Sequence, residues 1–129
     1  MPEQTLLIVD DEDGVIHAIH QTLEASGYRV LATTDPHQAL AMLRAGEVVD
    51  LMIIDLFMPA MDGGTLLKEC RRIRPGLRAL LASGLASPGE LRRWRGRGEV
   101  VVPKPWRDEE FRSAVQRALS RGSPAALTT

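Results

Sequence analysis

The chain has 129 residues, of which 44% are hydrophobic and 26% charged, with a formal net charge of −1 and a pI near 6.3. A chain of this length forms one domain with a core large enough to need no disulfide or metal staple. Its single cysteine, Cys70, fits a reducing compartment. The small net charge gives no field favouring nucleic acid or anionic membrane. No apolar run approaches the roughly 18 residues of a membrane span, and the start Met1-Pro2-Glu3-Gln4 is acidic, unlike a signal peptide. A cytoplasmic globular domain is expected.

In chain order, five short apolar runs stand out: Thr5–Val9, Tyr28–Ala32, Leu51–Ile54, Arg78–Ala82 and Val100–Val102. Four are nearly continuous rather than alternating, as in strands buried on both faces. Helical patterns lie between them. Asp13 is predicted to cap a helix carrying Val15, Ile16, Ile19 and Leu23 and stopping at Gly27. Asp35-Pro36 reads as cap and first-turn proline of a helix through Ala39, Leu40 and Leu43 that ends near Gly46. A third helix is predicted over 64–73, before Pro75. A fourth, Pro88 to Arg95, looks short and weak, cut by Gly96 and Gly98. Asp108 is predicted to cap the last helix, with Phe111, Ala114, Val115, Ala118 and Leu119 on one face. This alternation predicts an α/β fold: a (βα)5 doubly wound, parallel five-stranded sheet in flavodoxin-like order 2-1-3-4-5. The segment 122–129 reads as a flexible tail or the start of a linker.

Ligands of such sheets bind beyond the carboxyl ends of the strands. The first run ends in Asp10-Asp11-Glu12, the third in Asp55, the fourth in Ser83-Gly84 and the fifth in Pro103-Lys104-Pro105. Each alone is as readily a solvated loop or a cap. Together they bring carboxylates, a hydroxyl and an ammonium to one rim. Clustered carboxylates repel and raise each other's pKa unless a cation intervenes, and a hard ion such as Mg²⁺ suits oxygen ligands. The set fits in-line phosphoryl transfer, with Asp55 as nucleophile. Pattern alone leaves a metal-dependent phosphatase as a rival.

The segment Asp55-Leu56-Phe57-Met58-Pro59-Ala60-Met61-Asp62-Gly63, with Asp10-Asp11, Ser83-Gly84 and Lys104-Pro105 in order, resembles the receiver domain of two-component response regulators (the CheY-like superfamily) over residues 4–121. The resemblance implies that Asp55 accepts a phosphoryl group from a histidine kinase or a histidine phosphotransfer protein. Asp11, Asp55 and the Phe57 backbone carbonyl would ligate Mg²⁺ (or Mn²⁺), with Asp10 acting through a water. Lys104 and Ser83 would hold phosphoryl oxygens, the Lys104–Pro105 bond would be cis, and Pro59 and Gly63 would turn the chain away from Asp55. Ser83 would pass the change to an output domain or protein that the sequence does not name. Position 101, where an aromatic switch residue is common, is Val101. Phe57 and Leu85, both apolar beside the acceptor, imply slow hydrolysis of the phosphoryl group. A homodimer through the face of fourth helix, fifth strand and fifth helix is a further expectation, and a degenerate receiver used only for docking is the alternative function.

Other features read as structural. Arg92, Arg93, Arg95 and Arg97 around Trp94 suit a solvated helix face. His17 and His20 share a helical face, yet no nearby carboxylate or cysteine is expected to complete a metal set. Met52, Met58 and Met61 suit core and turn packing, and Trp106 suits the start of the last helix.

Overall fold

A computed structural model describes residues 3–121. Strands β1 (Thr5–Val9), β2 (Arg29–Thr33), β3 (Leu51–Asp55), β4 (Ala79–Ser83) and β5 (Val100–Pro103) alternate with five helices. These are α1 (Asp13–Ala25), α2 (Pro36–Arg44), α3 (Gly63–Ile73), α4 (Pro88–Gly96) and α5 (Asp108–Ser120). All strand pairs are parallel, in the order β2-β1-β3-β4-β5, the flavodoxin-like arrangement that the alternating pattern predicts. The predicted tail, 122–129, lies outside the described residues.

The two-residue period of the strands divides the core into two layers. Leu7, Val9, Met52, Ile54, Leu81 and Val101 face α2, α3 and α4. Leu6, Ile8, Leu51, Ile53, Leu80, Val100 and Val102 face α1 and α5. Twelve large side chains are essentially inaccessible, among them Phe111, Leu23 and Leu66, and each such burial contributes roughly 1.5–3 kcal/mol. Edge strand β2, whose apolar run Arg29 interrupts, is the least covered: only Thr33 of its five residues is buried.

Several element ends move by a residue or more. β2 and β4 begin and end one residue later than the apolar runs suggest, because parallel pairing rather than hydropathy sets their limits. Thr5 pairs with Arg29, and Asp55 with Ala82. The cap of α1 is Glu12 rather than Asp13, and that of α5 is Arg107 rather than Asp108. In both helices the predicted aspartate sits inside the first turn, where its charge meets the positive end of the helix dipole without accepting a capping bond. Asp35 caps α2 as predicted, accepting from His37 N at 2.9 Å. Helix α3 starts at Gly63, with Asp62 accepting from Thr65 N at 2.8 Å. Helix α4 is short but firmly ended. Ser87 and Glu90 form a reciprocal capping box, and Gly96 is its last residue rather than a break within it. The turn into β5 needs the left-handed backbone of Gly98 (φ 88°).

Candidate functional site

The parallel register brings the ends of four strands to one rim. Val9 lies beside Ile54, so Asp10 emerges next to Asp55, the last residue of β3. Ser83 ends β4 opposite Pro103, which places Lys104 above it, and Lys104 N donates to Ser83 O at 2.7 Å. Asp10, Asp55 and Ser83 are buried, whereas Asp11 is exposed. A carboxylate oxygen from each of Asp10, Asp11 and Asp55 lies within 4.8 Å of the others.

One cation balances this cluster from within the chain. Lys104 Nζ lies 2.8 Å from Asp10 Oδ2 and 3.6 Å from Asp55 Oδ2. Asp10 also accepts from Glu12 N at 3.0 Å, and Asp55 from Phe57 N at 3.3 Å. Burial pushes the Asp55 carboxyl up to about 6, reinforced by the negative charge of Asp10 and opposed by Lys104. Burial alone would lower the Lys104 ammonium. Its hydrogen bond and charge pairing with Asp10, with further help from Asp55 and Glu12, hold it above its ordinary value instead. The residual imbalance, three carboxylates against one ammonium, is what a hard divalent cation relieves. The donors are all oxygens, with no thiolate or imidazole, which suits magnesium or manganese.

The Ser83 hydroxyl is engaged away from the carboxylates, accepting from Leu85 N at 3.2 Å and Ala86 N at 2.8 Å. It thereby shapes the β4–α4 loop. Leu85 at the loop tip is 79% exposed and Phe57 is 39% exposed, so both flank the rim as open apolar groups. The Lys104–Pro105 peptide is cis. Gly63 packs directly on β3: a Cβ there would overlap the Asp55 carbonyl and lie 2.7 Å from Leu56 Cα. Pro59 lies exposed in the turn before it. Val101 is buried in the layer beneath α4.

Two contacts escape a reading by motif. Trp94 lies across the start of α3, so close that a Cβ on Gly64 would come within 2.8 Å of its ring, and Arg97 stacks over its face at 5.0 Å. An aromatic thus links α4 to the helix after Asp55, although position 101 has none. The apolar floor beneath α4 and the adjacent Gly63-Gly64 pair are its only sequence signals. The second contact is His20 with Glu24, 2.9 Å apart across one turn of α1. A carboxylate therefore does stand near these histidines, contrary to the expectation from sequence, although they join no metal-ligating cluster among the described residues. Trp106 stacks on Phe111, with ring centroids 4.7 Å apart, and so covers the start of α5.

The chain is similar to known proteins. The sensor kinase CckA of Brucella abortus is 31% identical over 119 residues, covering 91% of this chain and 13% of that protein. The transcriptional regulatory protein CpxR of Klebsiella pneumoniae is 32% identical over 119 residues, covering 90% of this chain and 49% of that protein. The chain therefore spans half or less of these curated relatives. The crystal structure of a CheY-like response regulator receiver domain protein from Methanospirillum hungatei matches with a TM-score of 0.82 and 26% identity, covering 92% of this chain and 94% of that one. The model of the response regulator receiver domain matches residues 6–116, and with that match over most of its length the chain belongs to the receiver domain family of two-component response regulators.

Proposed function

We propose that the domain, residues 4–121, receives a phosphoryl group on Asp55 from a phosphohistidine of a kinase or phosphotransfer protein, and switches a partner or output domain in response. The observation that carries this reading is the meeting of Asp10, Asp11 and Asp55 with Lys104 at one strand-end rim. A carboxylate oxygen of Asp55 forms the new O–P bond as the N–P bond to the donor imidazole breaks, and the electron pair of that bond returns to the imidazole. Below a pKa of about 6 the metal-free acceptor is protonated and a poor nucleophile. Asp10, Asp11, Asp55 and the Phe57 carbonyl would hold a magnesium or manganese ion, which when bound neutralises charge on the carboxylates and the transferring group. Lys104 has the reach to leave Asp55 and pair with a phosphoryl oxygen. Ser83 keeps its hydroxyl proton for another phosphoryl oxygen, and turning toward that oxygen would release the bonds Oγ accepts from Leu85 N and Ala86 N. That release loosens the loop leading into α4, and the switch is read there. With Val101 small and aliphatic, the Trp94 contact to Gly64 is the route by which α4 follows the change.

The test is incubation with acetyl phosphate and Mg²⁺, read by intact mass and by Trp emission. We expect a phosphoryl adduct that is lost in Asp55→Asn and on metal chelation, with an emission change that needs both. An unmodified wild-type chain refutes the reading and leaves phosphorylation-independent docking; turnover of many phosphate esters points to a phosphatase. Phe57 and Leu85 offer no polar atom to guide water, so we expect Phe57→Asn to shorten the adduct's lifetime.

A further inference from the structure

A crevice of about 660 Å³ runs between α1 and α5, and it reaches Gly84 and Lys104 at the strand-end rim. Its walls are mostly apolar. Val15 and Ile19 of α1 line one side, and Pro105, Trp106 and Phe111 line the other. The space is open because the α1 side is small there: Gly14 and Ala18 border it, and a Cβ on Gly14 would meet no atom within 4 Å. Trp106 is held as a fixed wall, half-buried and stacked on Phe111. A concave volume of this size, with apolar walls and a few polar groups, is that of a small-molecule site.

The polar groups of the crevice select the charge of its occupant. Its one ammonium, Lys104, is already committed, 2.8 Å from Asp10 Oδ2 and 3.6 Å from Asp55 Oδ2. Glu12 and Asp108 also line the crevice; both are exposed, and neither makes an ion pair among the described residues. The starts of α1 and α5 each add about half a positive charge. Glu12 and Asp13 on one helix, and Asp108, Glu109 and Glu110 on the other, outweigh it. An aromatic wall beside uncommitted carboxylates suits a cation joined to a ring, which gains from stacking, cation–π attraction and ion pairing together.

We propose that this crevice binds a small arylalkylammonium compound, its ring between Trp106 and the α1 wall and its ammonium answered by Glu12 and Asp108. An anionic compound fits less well, because the only ammonium in the crevice is held by two buried carboxylates. The bound compound stands beside Lys104, the internal counter-charge of Asp55. Binding itself requires no phosphoryl group on Asp55, so this proposal and the phosphoacceptor reading can fail separately.

The test titrates phenethylammonium into the isotope-labelled full chain, with and without Mg²⁺, and follows the amide and indole N–H resonances. Shifts should centre on Ala18 and the Trp106 indole, with a Kd of about 1 mM. Phenethyl alcohol keeps the ring without the charge and should bind about 5- to 10-fold more weakly; hydrocinnamate, the anionic counterpart, should be weaker still. Glu12→Gln and Asp108→Asn should each weaken the amine by about 3- to 10-fold, whereas Glu109→Gln, outside the crevice, should change it less than about 2-fold. The Glu12 side chain makes no capping bond, so its neutralisation leaves α1 intact even if Ala18→Leu, which should fill the crevice and abolish binding, disturbs the helix. Equal affinity for the alcohol, tighter binding of hydrocinnamate, or shifts confined to Asp10, Asp11 and Asp55 and lost in Mg²⁺ would each overturn the proposal.

Discussion

The two ends of this sheet handle unbalanced charge in opposite ways. At the carboxyl end, Asp10 and Asp55 are buried, and their repulsion is met by one internal cation, Lys104. At the amino end of β5, Arg95, Arg117 and Arg121 border an open cleft whose only acid among the described residues, Glu99, is taken by Arg71. Where the imbalance is buried it shifts protonation and costs stability. Where it is solvated it costs little and acts mainly on encounters with other charged molecules.

The comparison breaks most readily at Lys104. Lys104→Met removes the single internal counter-charge, and we expect a loss of about 2–4 kcal/mol at pH 7 in chelator, measured by urea unfolding. Mg²⁺ should restore part of it. Arg71→Leu asks the same question at the other end, where a buried Glu99 would lose both its bonds. We expect about 2–3 kcal/mol there, with no recovery on adding Mg²⁺. Recovery in both variants would mean that the metal acts on stability in general rather than on the carboxylate rim.

The pH dependence sharpens the contrast. The Asp55 carboxyl rises from an ordinary 3.8 to about 6 in the fold, so the native state holds this proton more tightly than the unfolded chain. Its contribution to stability is therefore full below pH 3.8 and lost as the pH rises through about 6. In chelator, wild type should lose roughly 1–3 kcal/mol relative to Asp55→Asn between these limits, and the difference should shrink in Mg²⁺. A flat difference would place the Asp55 pKa near its ordinary value. The smallest effect is expected at Ser87→Ala, which removes the capping box of α4. A cost of about 1 kcal/mol, confined to faster amide exchange in α4, would identify that helix as the locally mobile link between the two ends.

Much of the rim is legible in sequence because parallel strands deliver whatever follows them to one place. Asp10, Asp55, Ser83 and Lys104 each sit at or just past a strand end, so finding the apolar runs finds the site. Caps are harder to read. Glu12 and Asp13, or Arg107 and Asp108, are adjacent, and hydropathy does not distinguish a residue that starts a helix from one inside its first turn. The Arg71–Glu99 pair joins residues 28 apart through tertiary packing and leaves no local trace. Trp94 reads as part of a basic stretch because its role depends on the bare backbone of Gly64 across the layer.

Cys70 carries a consequence of a different kind. It is fully buried between α3 and the sheet, and burial pushes its thiol up to about 11. A thiol reacts as its thiolate, so a maleimide or disulfide reagent can reach it only while the α3 layer is briefly open. As the chain's sole cysteine, it makes alkylation a built-in clock. The labelling rate in excess reagent reports how often that layer opens, read by mass on the unaltered protein with no engineered probe.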